Sequence, residues 1–183
     1  MAFEPLTDED IEIITEQLGR RPRAAVHIAA RCPAGHPAVL ANHPIHAEGD
    51  RIAPFPTLYW LSCPELGRAV SRLEMGGLIQ QLDQRLEGDD ELAASLHADH
   101  ERYVAQRWGL LSEEDRAAVH ESGLHDMLHQ RGIGGLSHWR SVKCLHLHLA
   151  HYLADRNAIG AILTTEFGIQ PCAGAPIRTP ESP

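Results

Sequence analysis

TLYWLSCPELGRAVSRLEMGG, Thr57 to Gly77, holds the change of pattern on which the fold turns. Its first six residues are aromatic and β-favouring, and they predict a strand over Thr57–Ser62. From Pro64 the apolar spacing becomes helical: proline suits the first helical position, Cys63 falls at the N-cap, and the Gly76–Gly77 pair ends the helix. Strand therefore gives way to helix at one cysteine.

Toward the amino terminus, AAVHIAA (24–30) and PAVLA (37–41) flank the turn RCPAGH and predict two paired strands. Before them, Asp8–Leu18 reads as a helix with Thr7 as N-cap, Asp10 three residues later and Gly19 just past the end. Its acidic start suits the helix dipole. The basic turn GRRPR (19–23) links that helix to the first strand of the pair.

Toward the carboxyl terminus the chain reads as helical: Leu78–Leu86, Asp90 to about Trp108, another helix capped by Ser112, and a last strong helix over about Ser141–Ala154. GIGGL (132–136) interrupts the series, and the Pro and Gly content after Phe167 marks a loose tail. The expected architecture is α+β, predominantly helical with a small antiparallel sheet near the N-terminal half. One domain is expected over residues 1–168, with a loose tail over 169–183.

A chain of 183 residues with a formal charge of −9 carries no electrostatic footprint for nucleic acid, so none is expected as a partner. No apolar run approaches the ~18 residues of a membrane helix, and the amino terminus is acidic where an export signal is basic. The expected compartment is the cytoplasm, with no membrane partner and four reduced cysteines. Fifteen of the sixteen basic residues are arginine, and the one lysine, Lys143, adjoins Cys144. That placement suggests a requirement for a compact ammonium.

VKCLHLHLAH, Val142 to His151, concentrates the chemistry. If the helix begins at Ser141, then Cys144, His148 and His151 share one stripe, while Val142, Leu145, Leu149 and Leu153 form the opposite, core-facing one. His146 then sits near the apolar edge. Cys32 and Cys63 each precede a proline, which places the thiol on a rigid turn suited to a ligand or a nucleophile. The ligands expected to converge on a metal are Cys32, Cys63, Cys144 and His151. Zinc is the leading ion, and an iron–sulfur cluster is the alternative. Lys143, His146 and His148 are candidate catalytic groups, and Arg31, Arg72 and Arg140 are candidate binders of a small anionic ligand. GIGG could also offer backbone amides to an anion.

The motifs LGRRPRAAVHIAARCPAGHP, PFPTLYWLSCPELGRAVSRLE, HADHERYVAQR, GIGG and VKCLHLHLAH, in that order, resemble an uncharacterised bacterial family, domain of unknown function 501 (DUF501), over roughly Leu18–Gly160. The resemblance carries a family pattern onto Cys32, Cys63, Lys143, Cys144, His146 and His151, with histidine replacing the position of Cys63 in some members. Such interchange is what a metal ligand permits. His148 lies outside the pattern, and Ala34 stands where many members carry a further cysteine. The family supplies no reaction. Three functions stay open: a metal-dependent hydrolase acting on a small anionic substrate, a non-enzymatic metal-stabilised interaction or regulatory protein, and a metal-free thiol enzyme.

Overall fold

The computed structural model describes residues 3–48, 51–170 and 172. A short strand, β1 (Glu4–Pro5), leads into α1 (Asp8–Leu18), whose ends follow from local chemistry. Thr7 and Asp10 form a reciprocal capping box, and Gly19 closes the helix at φ 68°, a left-handed conformation that glycine adopts without a Cβ penalty. Strands β2 (Ala25–Arg31) and β3 (Pro37–Asn42) pair antiparallel around the Cys32–His36 turn. The hairpin β4 (Ile45–Glu48) and β5 (Arg51–Pro54) comes next, followed by β6 (Tyr59–Leu61). The larger sheet has the order β1-β2-β3-β6, all antiparallel.

Every residue of β3 is buried, with side chains packed against both faces of the strand. Leu40 pairs with Trp60 and shares one face with Ile14 of α1 and Ile28. Val39, Ala41 and Tyr59 fill the other face. That second face meets two helices from the carboxyl-terminal half.

Helices α2 (Pro64–Met75), α3 (Leu78–Gly88), α4 (Asp90–Gly109), α5 (Glu113–Glu121) and α6 (His125–Gln130) precede a 3-10 turn at Ile133–Gly135, and α7 (Leu145–Ala154) and α8 (Ala158–Thr165) complete the fold. Cys63 is the N-cap of α2 with Pro64 in its first turn, as expected. Helix α7 lies between layers: Leu145 and Leu149 join the α2, α3 and α8 core, while Ala150 packs toward Val39 and Tyr59. Close approach of α7 and α8 depends on Gly160, where a Cβ would fall 2.2 Å from that of Tyr152. Arg107, 1% exposed, ties α4 to its surroundings by donating to the carbonyls of Pro56, Leu128 and Arg131. Its charge is thereby solvated by backbone instead of water.

The observed fold is the expected α+β class, with three local corrections. Helix α7 starts at Leu145 rather than Ser141, because Asp83 captures the Val142 amide at 2.7 Å and holds that segment irregular. The β4–β5 hairpin and α8 add elements beyond those read from the sequence. The segment expected to be loose begins packed: Ile169 donates its amide to Leu163, and Ile169 and Cys172 are buried in the helical core. Residues 171 and 173–183 of that segment lie outside the described residues. No helix among the described residues is long and apolar enough to cross a membrane.

Candidate metal centre

The start of α7 meets the end of α2 at a cluster of three ligating side chains, Glu74, Cys144 and His146, whose ligand atoms all lie within 4.8 Å of one another. Cys144 is the N-cap, yet its thiol caps no amide. Glu74 does that work from the neighbouring helix: its Oε1 accepts the Leu145 amide at 2.7 Å. A carboxylate in the last turn of α2 opposes the dipole of its own helix, but it faces the favourable positive end of α7.

His146 is held at both ring nitrogens. Nε2 lies 3.2 Å from the Gly67 carbonyl and 3.3 Å from the Ser71 hydroxyl. A carbonyl only accepts, so Nε2 carries a proton. Nδ1 points at the other two members, 3.2 Å from Glu74 Oε1 and 3.7 Å from Cys144 Sγ. With acceptors on both sides the ring is stabilised as imidazolium. Its pKa rises to about 9, chiefly through the contact with Cys144 and also through the charge of Glu74, against the opposing effect of burial.

The same arrangement suits a metal ion. Tetrahedral zinc bonds to nitrogen, oxygen and sulfur imply separations of roughly 3.4 Å for N···O and roughly 3.6 Å for N···S. The observed 3.2 and 3.7 Å fit those edges. The Gly67 carbonyl further holds the tautomer that leaves Nδ1 for coordination, as partners of metal-bound histidines do. Three protein ligands would leave one tetrahedral position for another group.

This candidate cluster shares Cys144 with the expected ligand set. Among the described residues, Cys32, Cys63, Cys144 and His151 form no common group. The reason lies in the start of α7: with Cys144 outside the helix, it no longer shares a stripe with His148 and His151. Cys32 and Cys63 are buried in the helical core. An iron–sulfur cluster would find one thiolate here where it needs several.

His148 and His151 occupy the interior, 1% and 0% exposed. His148 Nδ1 lies 3.2 Å from the Asn157 carboxamide oxygen, and His151 Nδ1 lies 3.4 Å from its nitrogen. His151 also stacks on Tyr59 at 5.4 Å between ring centres. Burial lowers His148 to about 4 and His151 to about 3, so both are neutral. His100 belongs to the same interior: its Nδ1 accepts the Ile133 amide at 2.9 Å, and burial lowers it to about 3.

Three of the four candidate cations have structural partners. Lys143 is exposed and donates to the Gly134 carbonyl at 2.8 Å, bracing the 3-10 turn. That turn uses the amides of Gly132, Gly135 and Leu136 internally, and that of Ile133 on His100, so it forms no anion cradle. Arg31 binds Asp10 and Glu4, and Arg140 binds Asp90 together with the carbonyls of Leu86 and Glu87. Arg72 is exposed, two residues from Glu74 along α2. Sequence reasoning missed Glu74. Its signal was a carboxylate in the last helical turn, where the dipole disfavours it unless something outside the helix compensates.

The family model described as protein of unknown function (DUF501) matches residues 28–165. No curated protein and no solved structure matches the chain.

Proposed function

The chain belongs to DUF501, a family of unknown function, and we propose from its own side chains that Glu74, Cys144 and His146 bind a single zinc ion. One observation carries the reading: Nδ1 of His146 faces a carboxylate and a thiol while its Nε2 is committed to a carbonyl. Two acceptors directed at one point require a cation between them, and either a proton or a metal ion fills that role.

A bound zinc ion would supply Lewis acidity toward a carbonyl or phosphoryl oxygen. The three side chains would divide the remaining tasks. His146 must release its Nδ1 proton for coordination, Gly67 keeps Nε2 protonated, and Glu74 both ligates and anchors the α7 amide. Hydrolysis of a small anionic substrate is the reaction class we propose for such an ion, with the exposed Arg72, two residues from Glu74 along α2, as the cation available to that substrate. The cytoplasm is the compartment we infer, since a thiolate ligand persists best under reducing conditions.

A metal-free thiol enzyme is the second reading, supported by the imidazolium character of His146 beside Cys144. Elemental analysis of protein purified without chelator, followed by cobalt substitution, separates the two. Stoichiometric zinc and a thiolate-to-cobalt charge-transfer band that disappears in Cys144→Ser support the metal centre. Failure to retain zinc or cobalt, with alkylation of Cys144 controlled by the titration of His146, would replace it with the thiol reading.

A further inference from the structure

The sheet face covered by α1 is left partly open, and the opening has the chemistry of a ligand site. Leu40, Asn42 and Trp60 lie on that face, since Leu40 and Asn42 alternate along β3 and Trp60 pairs with Leu40. Helix α1 covers the Ile14 end and stops at Gly19. Beyond its end a cavity of about 360 Å³ remains, with Trp60 and Phe55 among its walls and Arg20 and Arg23 from the GRRPR turn at its edge. Its size falls within the roughly 300–1,000 Å³ of small-molecule sites.

Charge is the second observation. In a chain of net charge −9, the turn places three arginines within five residues. Among the described residues neither Arg20 nor Arg23 takes part in an ion pair. Arg20 instead lies over the Trp60 ring, 5.9 Å from its centre. The carbonyl end of α1 attracts one cation, which accounts for Arg20 but not for Arg23 lining the same cavity. A guanidinium ordered over an indole, with a second beside it, offers fork-shaped donors to an anion and a flat surface to a ring.

We propose that this cavity binds a small aromatic anion, a planar ring bearing a phosphate or a carboxylate. The anionic group bridges Arg20 and Arg23, and the ring lies against the Trp60–Phe55 wall. The proposal is independent of the metal centre, which it does not use.

Phenyl phosphate, benzoate and inorganic phosphate are titrated into the full chain by calorimetry, with tryptophan fluorescence followed in parallel. The expected result is saturable binding of one or both aromatic anions, with the preferred one distinguishing phosphate from carboxylate. Inorganic phosphate should bind at least about tenfold more weakly than phenyl phosphate, because it lacks the ring contact. Combining Arg20→Gln with Arg23→Gln, both exposed positions, should weaken binding at least about tenfold without altering the melting temperature. Trp60→Phe should keep the heat of binding and lose the fluorescence change. Absence of binding by both aromatic anions, equal binding of inorganic phosphate, or undiminished binding to the double-arginine variant would each overturn the proposal.

Discussion

The Glu74 carboxylate stands 3.2 Å from Nδ1 of His146, although 72 residues separate them in the chain. One comes from the last turn of α2 and the other from the first turn of α7. Through Glu74 the cap of the α7 start and the cluster with Cys144 and His146 share one side chain.

Glu74→Gln tests the charge without removing the cap, since the carboxamide oxygen still accepts from Leu145. Zinc affinity is expected to fall by at least about 10–100-fold in competition with a chromogenic chelator, the loss that follows removal of even an outer-shell partner of a metal ligand. The His146 ring, followed by NMR, should titrate closer to the ordinary range. Unchanged affinity would remove Glu74 from the ligand set.

The cysteines should divide into two classes. Cys144→Ser is expected to abolish zinc retention while leaving the fold intact, because the half-exposed thiol makes no capping bond. Cys32→Ser, Cys63→Ser and Cys172→Ser each place a hydroxyl in the helical core and should cost on the order of 1 kcal/mol, with metal binding preserved. Elemental analysis and urea denaturation of the four variants measure both quantities. Loss of zinc in Cys32→Ser or Cys63→Ser would restore those thiols to the centre.

Metal-free protein should lose stability at alkaline pH. The folded pKa of His146, about 9, exceeds the unfolded value near 6.5, so its contribution is complete below about 6.5 and disappears as pH rises through about 9. His146→Gln should flatten this limb in urea titrations between neutral and alkaline pH. A variant that keeps the full decline would show that another group causes it.

On the acid side the sign reverses. His100, His148 and His151 titrate at about 3, 4 and 3 in the folded protein, below the unfolded value, so their contribution is complete above about 6.5. It is lost as pH falls toward those folded values, with a limiting slope of about 1.4 kcal/mol per pH unit for each histidine. Replacing His151 by Phe retains a ring against Tyr59 and should reduce the slope by about one histidine's share. Urea denaturation across this range reads the slope directly, and an unchanged one would contradict the buried, neutral assignment.

Features set by neighbours in the chain were legible from the sequence alone. The Thr7–Asp10 box and Gly19 bound α1, the Cys63–Pro64 step starts α2, and alternating apolar residues mark β2 and β3. Hydrogen bonds and side-chain periods within a few residues determine such features. Motif order likewise pointed to the family. Tertiary structure alone decided where α7 begins and which groups join Cys144. Asp83 and Glu74 reach the amides of Val142 and Leu145 from 59 and 71 residues away, and no local pattern encodes those captures. Because α7 is then packed between the sheet and the other helices, apolar spacing could not distinguish a solvent face from a core face. His148 and His151 consequently enter the interior, while the half-buried His146, in the first turn, meets Glu74 and Cys144.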